Sequence, residues 1–182
     1  SPNNQALLRT GDGGFENTGA IVANLETFLS ASIIGIAPSA VNGSAIRQTI
    51  TNVSVGDKLT FDWNFLTSES AGATRQDTAF FSISLVGGTS QTFFLADPSK
   101  ANTGFVSTEF SKQSLYSELT PPYQFATAGT YVLGFGVVNR DSVTGPSGLL
   151  IDSVRLTAVP EPTALAGLGL FGWSLTFRRR RR

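Results

Sequence analysis

Lys58 to Leu66, KLTFDWNFL, alternates apolar and polar side chains, and this period of two constrains the fold more than any other stretch. Successive side chains of an extended strand point to opposite faces. Leu59, Phe61, Trp63 and Phe65 therefore share one face, while Thr60, Asp62 and Asn64 share the other. Thr78 to Val86 repeats the arrangement, with Ala79, Phe81, Ile83 and Leu85 opposed to Phe80, Ser82, Ser84 and Val86. Each pattern predicts a strand with a buried face. Further strands are expected at Ala45 to Val53, Gln91 to Leu95, Thr130 to Asn139 and Leu149 to Leu156. Gly56, Gly87, Gly88 and Gly129 punctuate them with residues that accept unusual backbone angles. Between Lys100 and Tyr123 the pattern breaks, which reads as a long excursion with a short helical turn around Ser114 to Leu119.

No repeat of about 20 to 50 residues is visible, which argues against a solenoid or propeller. Many antiparallel strands with long connections instead favour an all-β, antiparallel two-sheet sandwich of jelly-roll type over residues 1 to 158. The segment Gly11 to Val22 is expected to pair with the last strand and close the domain.

Residues 159 to 182 follow a different logic. Pro160, Glu161 and Pro162 form an extended break, Thr163 to Phe177 is 15 residues without a charge, and the chain ends Arg178, Arg179, Arg180, Arg181, Arg182. As a short hydrophobic helix the run spans roughly 22 Å, less than the ~30 Å hydrocarbon core of a bilayer. Extension from Val159 and snorkelling arginine stems would close most of the gap. An arginine block directly after an apolar run orients that end towards the cytoplasm. The competing interpretation is a closing core strand or helix followed by a solvated or nucleic-acid-binding tail. Confinement to the extreme C-terminus, behind a Pro-x-Pro break, fits membrane orientation better.

These residues resemble the PEP-CTERM sorting signal of bacterial exported proteins, with Pro160, Glu161 and Pro162 as the motif. The resemblance implies an exosortase as partner, transient anchoring in the inner membrane, and processing near the motif. Delivery to the cell envelope surface or extracellular matrix would follow.

Charge balance changes once the tail is set aside. Five of the 13 basic residues are Arg178 to Arg182 and one of the 13 acidic ones is Glu161, leaving eight basic against 12 acidic residues in the body. An acidic body without a Lys/Arg cluster argues against nucleic acid as a partner. The chain has no His and no Cys. That excludes His-dependent triads, the usual zinc sites and thiolate chemistry, so an enzyme here would work with carboxylates, Tyr, Lys or Ser. A chain that begins at Ser1 and contains no Met is expected to have lost a secretory signal peptide.

Two places are candidates for chemistry. Gly13-Gly14-Phe15-Glu16 and Ile151-Asp152-Ser153-Val154 resemble the opening and closing motifs of carbohydrate-binding-module-like jelly rolls. That resemblance implies a structural calcium held by Glu16 and Asp152, with Asp12 as a third carboxylate. Ser153 stands where a second acidic or amide residue is frequent, which removes one ligand. Alternatively, Glu16 and Asp152 are turn and strand-edge residues bonded to backbone.

The second place is the loop from Thr67 to Asp77. The surrounding FDWNFLTSES and DTAFFSI are similar to segments of a loose class of bacterial surface domains with interchangeable C-terminal anchors. Glu69 and Asp77 could meet across the loop neck and, with Asp141 or Asp152, bind a second cation or a ligand. Equally, they are solvated, with Arg75 neutralising one. A carboxylate-dependent glycosidase would draw on Asp62 with Glu69 or Asp77, which must lie about 5 or 6.5 to 9.5 Å apart. Trp63 falls on the apolar face and reads as core, so Tyr116 and Tyr123 are the candidates for stacking on a sugar.

The sequence thus points to an exported, non-catalytic β-sandwich that contacts polysaccharide or neighbouring surface proteins. A glycan-active enzyme and a purely structural matrix or coat subunit are the alternatives.

Overall fold

A computed structural model describes residues 5–11, 19–72, 76–105, 107, 109–140 and 145–159. They form two antiparallel sheets packed face to face. The first contains β1 (Ala6–Arg9), β4 (Lys58–Thr67), β7 (Thr103–Gly104), β8 (Lys112–Gln113), β9 (Ser117–Glu118), β10 (Tyr123–Gln124) and β12 (Ser147–Thr157). Its spine runs β1, β12, β4, β8, β7, with β9 and β10 also paired to β4. The second follows the order β2 (Ala20–Ile21), β3 (Asn42–Val53), β11 (Gly129–Asn139), β5 (Thr78–Leu85) and β6 (Ser90–Ala96). The all-β, two-sheet expectation holds.

The alternation along β4 decides its place. Leu59, Phe61 and Phe65 are buried between the sheets with Phe81, Leu133, Phe135, Leu149 and Ile151. Phe61 lies edge-on to Phe81 and to Phe135, with centroids 5.1 and 4.8 Å away. Such edge-to-face pairs set negative ring faces against positive ring edges and add about 0.5–1.5 kcal/mol each beyond burial. Trp63 packs against the same core.

β5 is buried on both faces, not one. Ala79, Phe81 and Ile83 face the other sheet, while Phe80 turns outward into a second cluster under α1 (Val22–Leu29). Leu25 and Leu29 of this helix pack there with Ile33, Ala37 and Val138. Glycine permits the approach: a Cβ at Gly134 would stand 2.5 Å from both Leu29 Cδ2 and Ser82 Oγ. The helix ends at Ser30, in the left-handed region at φ 54°, and Glu26 Oε1 accepts from the Ile33 amide at 2.7 Å just beyond.

Two expectations are corrected, and a third falls where the structure gives no description. The last strand pairs with Ala6–Arg9, upstream of the expected segment, whereas Ala20–Ile21 joins β3 and Val22 opens the helix. Residues 12–18 lie outside the described residues. Ser114 to Leu119 forms no helical turn; it contains β9, which adds to the edge of β4. The C-terminal hydrophobic helix falls on residues 160–182, outside the described residues, and the last strand ends at Thr157.

Candidate functional site

The polar side of β4 faces out of the sandwich. Asp62 is the register partner of Asp152 on β12 and of Glu118 on β9, so three carboxylates occupy neighbouring strands. Directly opposed residues of antiparallel strands have Cβ atoms about 4.5–5.5 Å apart. On β12 the regular ladder stops after Asp152, where Ser153 takes φ 53° and its amide donates to Asp152 Oδ1 at 2.6 Å. This bulge interrupts the ladder directly beside Asp152. Gln5 Nε2 donates to Asp152 Oδ2 at 3.5 Å.

Tyr116 completes this face. The connection carrying it is moored to β4: Asn64 Nδ2 donates to Gln113 Oε1 at 2.8 Å, Ser114 Oγ donates to Asn64 Oδ1 at 3.2 Å, and the Phe65 amide donates to Ser114 Oγ at 3.0 Å. Asn64 is buried to make these bonds, whereas Tyr116 is 49% exposed. Partial burial, then the negative charges of Asp152 and Asp62, push the Tyr116 phenol above its ordinary range, against a hydrogen bond with Gln5. The phenol therefore stays protonated and can donate a hydrogen bond. An exposed ring beside acceptor-rich carboxylates suits a hydroxylated ligand with an apolar face.

Tyr123 lies elsewhere. Its ring packs edge-on between Phe93 and Phe125, at 5.6 and 5.1 Å, in a row of aromatics that continues to Tyr131. It belongs to the core wall, so Tyr123, contrary to expectation, presents its ring to neighbouring aromatics and not to a sugar.

Glu69 and Asp77 do meet across the loop neck, but the solvated reading fails: they are 0% and 1% exposed. The Asp77 amide donates to Glu69 Oε2 at 3.0 Å, the Glu69 amide to Thr67 Oγ1 at 2.9 Å, and Thr10 Oγ1 to Asp77 Oδ2 at 3.0 Å. Thr67 and Ser147 hydroxyls join the network at 2.8 Å. Burial first, and then the Glu69 charge, raise Asp77 from 3.8 to about 7, against hydrogen bonds from Ser147, Thr10 and the Arg140 backbone. The raised value means that a proton relieves this corner near neutral pH.

The structure does not bring Asp152 or Asp62 to this corner. Both sit five positions along their strands from Ser147 and Thr67, which are themselves paired. Five positions correspond to roughly 16 Å, so Asp152 is no ligand beside Glu69 and Asp77. Asp62 likewise misses the spacing needed for a glycosidase pair with either. Asp12, Glu16, Arg75 and Asp141 lie outside the described residues. Among the described residues, no three acidic side chains come together in a way that could hold a metal ion.

The sequence reading missed Glu118 and Gln5. Glu118 belongs to the excursion, where strand periodicity is too short to register.

Among the described residues no helix is long and apolar enough to cross a membrane. No curated protein matches the chain. A solved structure of TmCBM61 in complex with beta-1,4-galactotriose is similar at 15% identity and a TM-score of 0.40, covering 63% of this chain and 62% of that one. The chain thus spans less than two thirds of that protein's length. Residues 158–182, which include Pro160, Glu161, Pro162 and the terminal arginines, match the PEP-CTERM protein-sorting motif. The chain carries this sorting motif behind a two-sheet β-sandwich, which makes it an exported protein sorted through the membrane.

Proposed function

We propose that the sandwich is a non-catalytic binding domain that holds extracellular polysaccharide on the outer face of its first sheet. The observation that carries this reading is the exposed Tyr116 ring anchored beside Asp62, Asp152 and Glu118. Tyrosine offers an apolar plane for the C–H face of a sugar ring and a polar tip for its hydroxyls. Carboxylates and the Gln5 amide accept or donate to the same hydroxyls at the solvent boundary. An exosortase handles the tail at the inner membrane, and the domain is delivered to the cell envelope surface or matrix, where surface proteins are its other neighbours.

The deciding experiment is a glycan array followed by affinity electrophoresis, comparing the parent protein with Tyr116→Ala and Asp62→Asn. Retention of a polysaccharide by the parent and its loss in Tyr116→Ala supports the reading. Binding that ignores both substitutions removes this face from the proposal. Release of shortened glycans that depends on Asp62 would replace it with the enzyme alternative.

Calcium forms a separate part of the proposal. The buried Glu69–Asp77 pair offers carboxylate oxygens whose mutual repulsion a divalent ion would relieve, and hard cations favour such donors. A ligand bound only by the native state raises its stability. The melting temperature should therefore fall on adding chelator and recover with excess calcium; an unchanged value eliminates the ion.

A further inference from the structure

Residues 54–57, 86–89 and 126–128 connect strands at one end of the sandwich, and the chain leaves β12 at the same end. Hydrogen bonds tie these connections together. The Gly56 amide donates to the Phe125 carbonyl at 2.8 Å, the Phe125 amide to the Asp57 carbonyl at 2.9 Å, and the Val86 amide to the Thr130 carbonyl at 2.9 Å. Asp57 also fixes the exit. It is 3% exposed, and its Oδ2 accepts from the Ser54 amide at 2.9 Å while its Oδ1 accepts from the Val159 amide at 3.1 Å. Val159, the residue before Pro160, is therefore moored to the body.

This end is apolar at its tips and bare of exposed acid. Val55 is 63% exposed, Val86 61% and Val159 42%. Residues 54–58, 86–89, 126–128 and 158–159 carry two charges, Asp57, which is buried, and Lys58, which is exposed. Ionic side chains gather instead at the opposite end, where Arg9, Glu69, Glu109 and Lys112 lie. Four residue steps separate Val159 from Thr163, where the apolar run of the tail starts, a reach of at most roughly 14 Å. That run is shorter than the hydrocarbon core, which draws its entry towards the lipid. The headgroup layer is itself about 5–7 Å thick on each side. With the run in a bilayer, the moored end of the sandwich stands within roughly 10 Å of the lipid surface.

We propose that this end of the sandwich docks on a phospholipid surface while the tail is in the membrane, with Val55, Val86 and Val159 entering the headgroup layer and Lys58 beside the phosphates. The inference rests on the membrane reading of Thr163 to Phe177. The short tether brings the end to the lipid, and side-chain chemistry keeps it there. Exposed valines gain by leaving water, an ammonium group pairs with phosphate oxygens, and no exposed carboxylate on these connections is repelled by an anionic leaflet. Asp57 is the positioning residue, because its bond to the Val159 amide keeps residues 158 and 159 from lengthening the tether. A tail that occupies the bilayer leaves the three valines free to meet the lipid. Docking at this end also leaves the Tyr116 face, on the side of the first sheet, uncovered.

The cysteine-free sequence allows a single fluorophore to be placed at will. The full chain is reconstituted in vesicles of phosphatidylethanolamine and phosphatidylglycerol that carry a nitroxide on the headgroup. A fluorophore at Ala128→Cys, an exposed position at the docking end, should be quenched. The same fluorophore at Ser70→Cys, exposed beyond the far end of β4 and roughly 30 Å away, should keep its intensity. Adding Val55→Asp and Val86→Asp to Ala128→Cys should restore the intensity, with unchanged circular dichroism and unchanged flotation with the vesicles. Equal intensities at the two positions in chains that float, or quenching that survives the two aspartates, would overturn the docking proposal alone. A chain that stays behind when the vesicles float would overturn it together with the membrane reading of the tail.

Discussion

The backbone amide of Asp77 donates to Oε2 of Glu69 at 3.0 Å, which holds two acidic side chains in one buried corner where β4, β5 and β12 converge. Asp77 is raised from 3.8 to about 7 by burial and by Glu69. The folded state therefore binds a proton that the unfolded chain has released, and stability falls as pH rises from about 4 to about 7. A tenfold change in proton affinity is worth about 1.4 kcal/mol, so the upper scale of the effect is a few kcal/mol. In calcium-free buffer, denaturant midpoints should rise on acidification from neutral pH to pH ~5, and Asp77→Asn should flatten that dependence. A midpoint that falls over this range would contradict the buried-pair account.

The two candidate tyrosines should separate in a pair of measurements. Tyr116→Ala removes an exposed ring and should change stability by no more than about 0.5 kcal/mol, while abolishing polysaccharide retention. Tyr123→Ala breaks the packing between Phe93 and Phe125 and should cost about 2–4 kcal/mol, with retention preserved in the folded fraction. Urea titration alongside affinity electrophoresis reads both quantities.

Close packing of α1 on the second sheet is open to a small, sharp perturbation. Gly134→Ala places a methyl 2.5 Å from Leu29 Cδ2 and Ser82 Oγ, and overpacking of this kind costs about 1–3 kcal/mol. Leu29→Ala opens a cavity in the same place and should cost about 2–5 kcal/mol. In the double variant the two costs should not add, because the truncated leucine makes room for the methyl. Additive losses would show that the contact is relieved some other way.

Sorting should depend on the arginine block and leave the sandwich untouched. Replacing Arg178 to Arg182 by neutral residues removes the charge that orients the apolar run. Unprocessed protein should accumulate or be released, with the domain still folded. Normal processing and surface delivery of this variant would refute the role given to the arginines.

Local residue order determined a good part of this protein. Period-two alternation is written along the chain, so β4, β5, β11 and β12 were legible with little error at their ends, and the Pro-Glu-Pro break, apolar run and arginines identified the sorting motif. The helix Val22–Leu29 was not legible: it is eight residues long, with no side-chain N-cap, no acidic first turn and no basic last turn. It is held by Phe80, Val138 and the gap over Gly134, all distant in sequence. The same distinction governs the site. Sequence singled out Tyr116, Asp62 and Asp152 separately, but strand pairing between segments distant in sequence brought Asp152 and Glu118 to either side of Asp62. It also buried Glu69 and Asp77, which loop composition alone had left open to solvent. Alternation encodes which face a side chain takes; which strand lies beside it follows only when the whole core closes, because register is fixed by the burial of both sheets together.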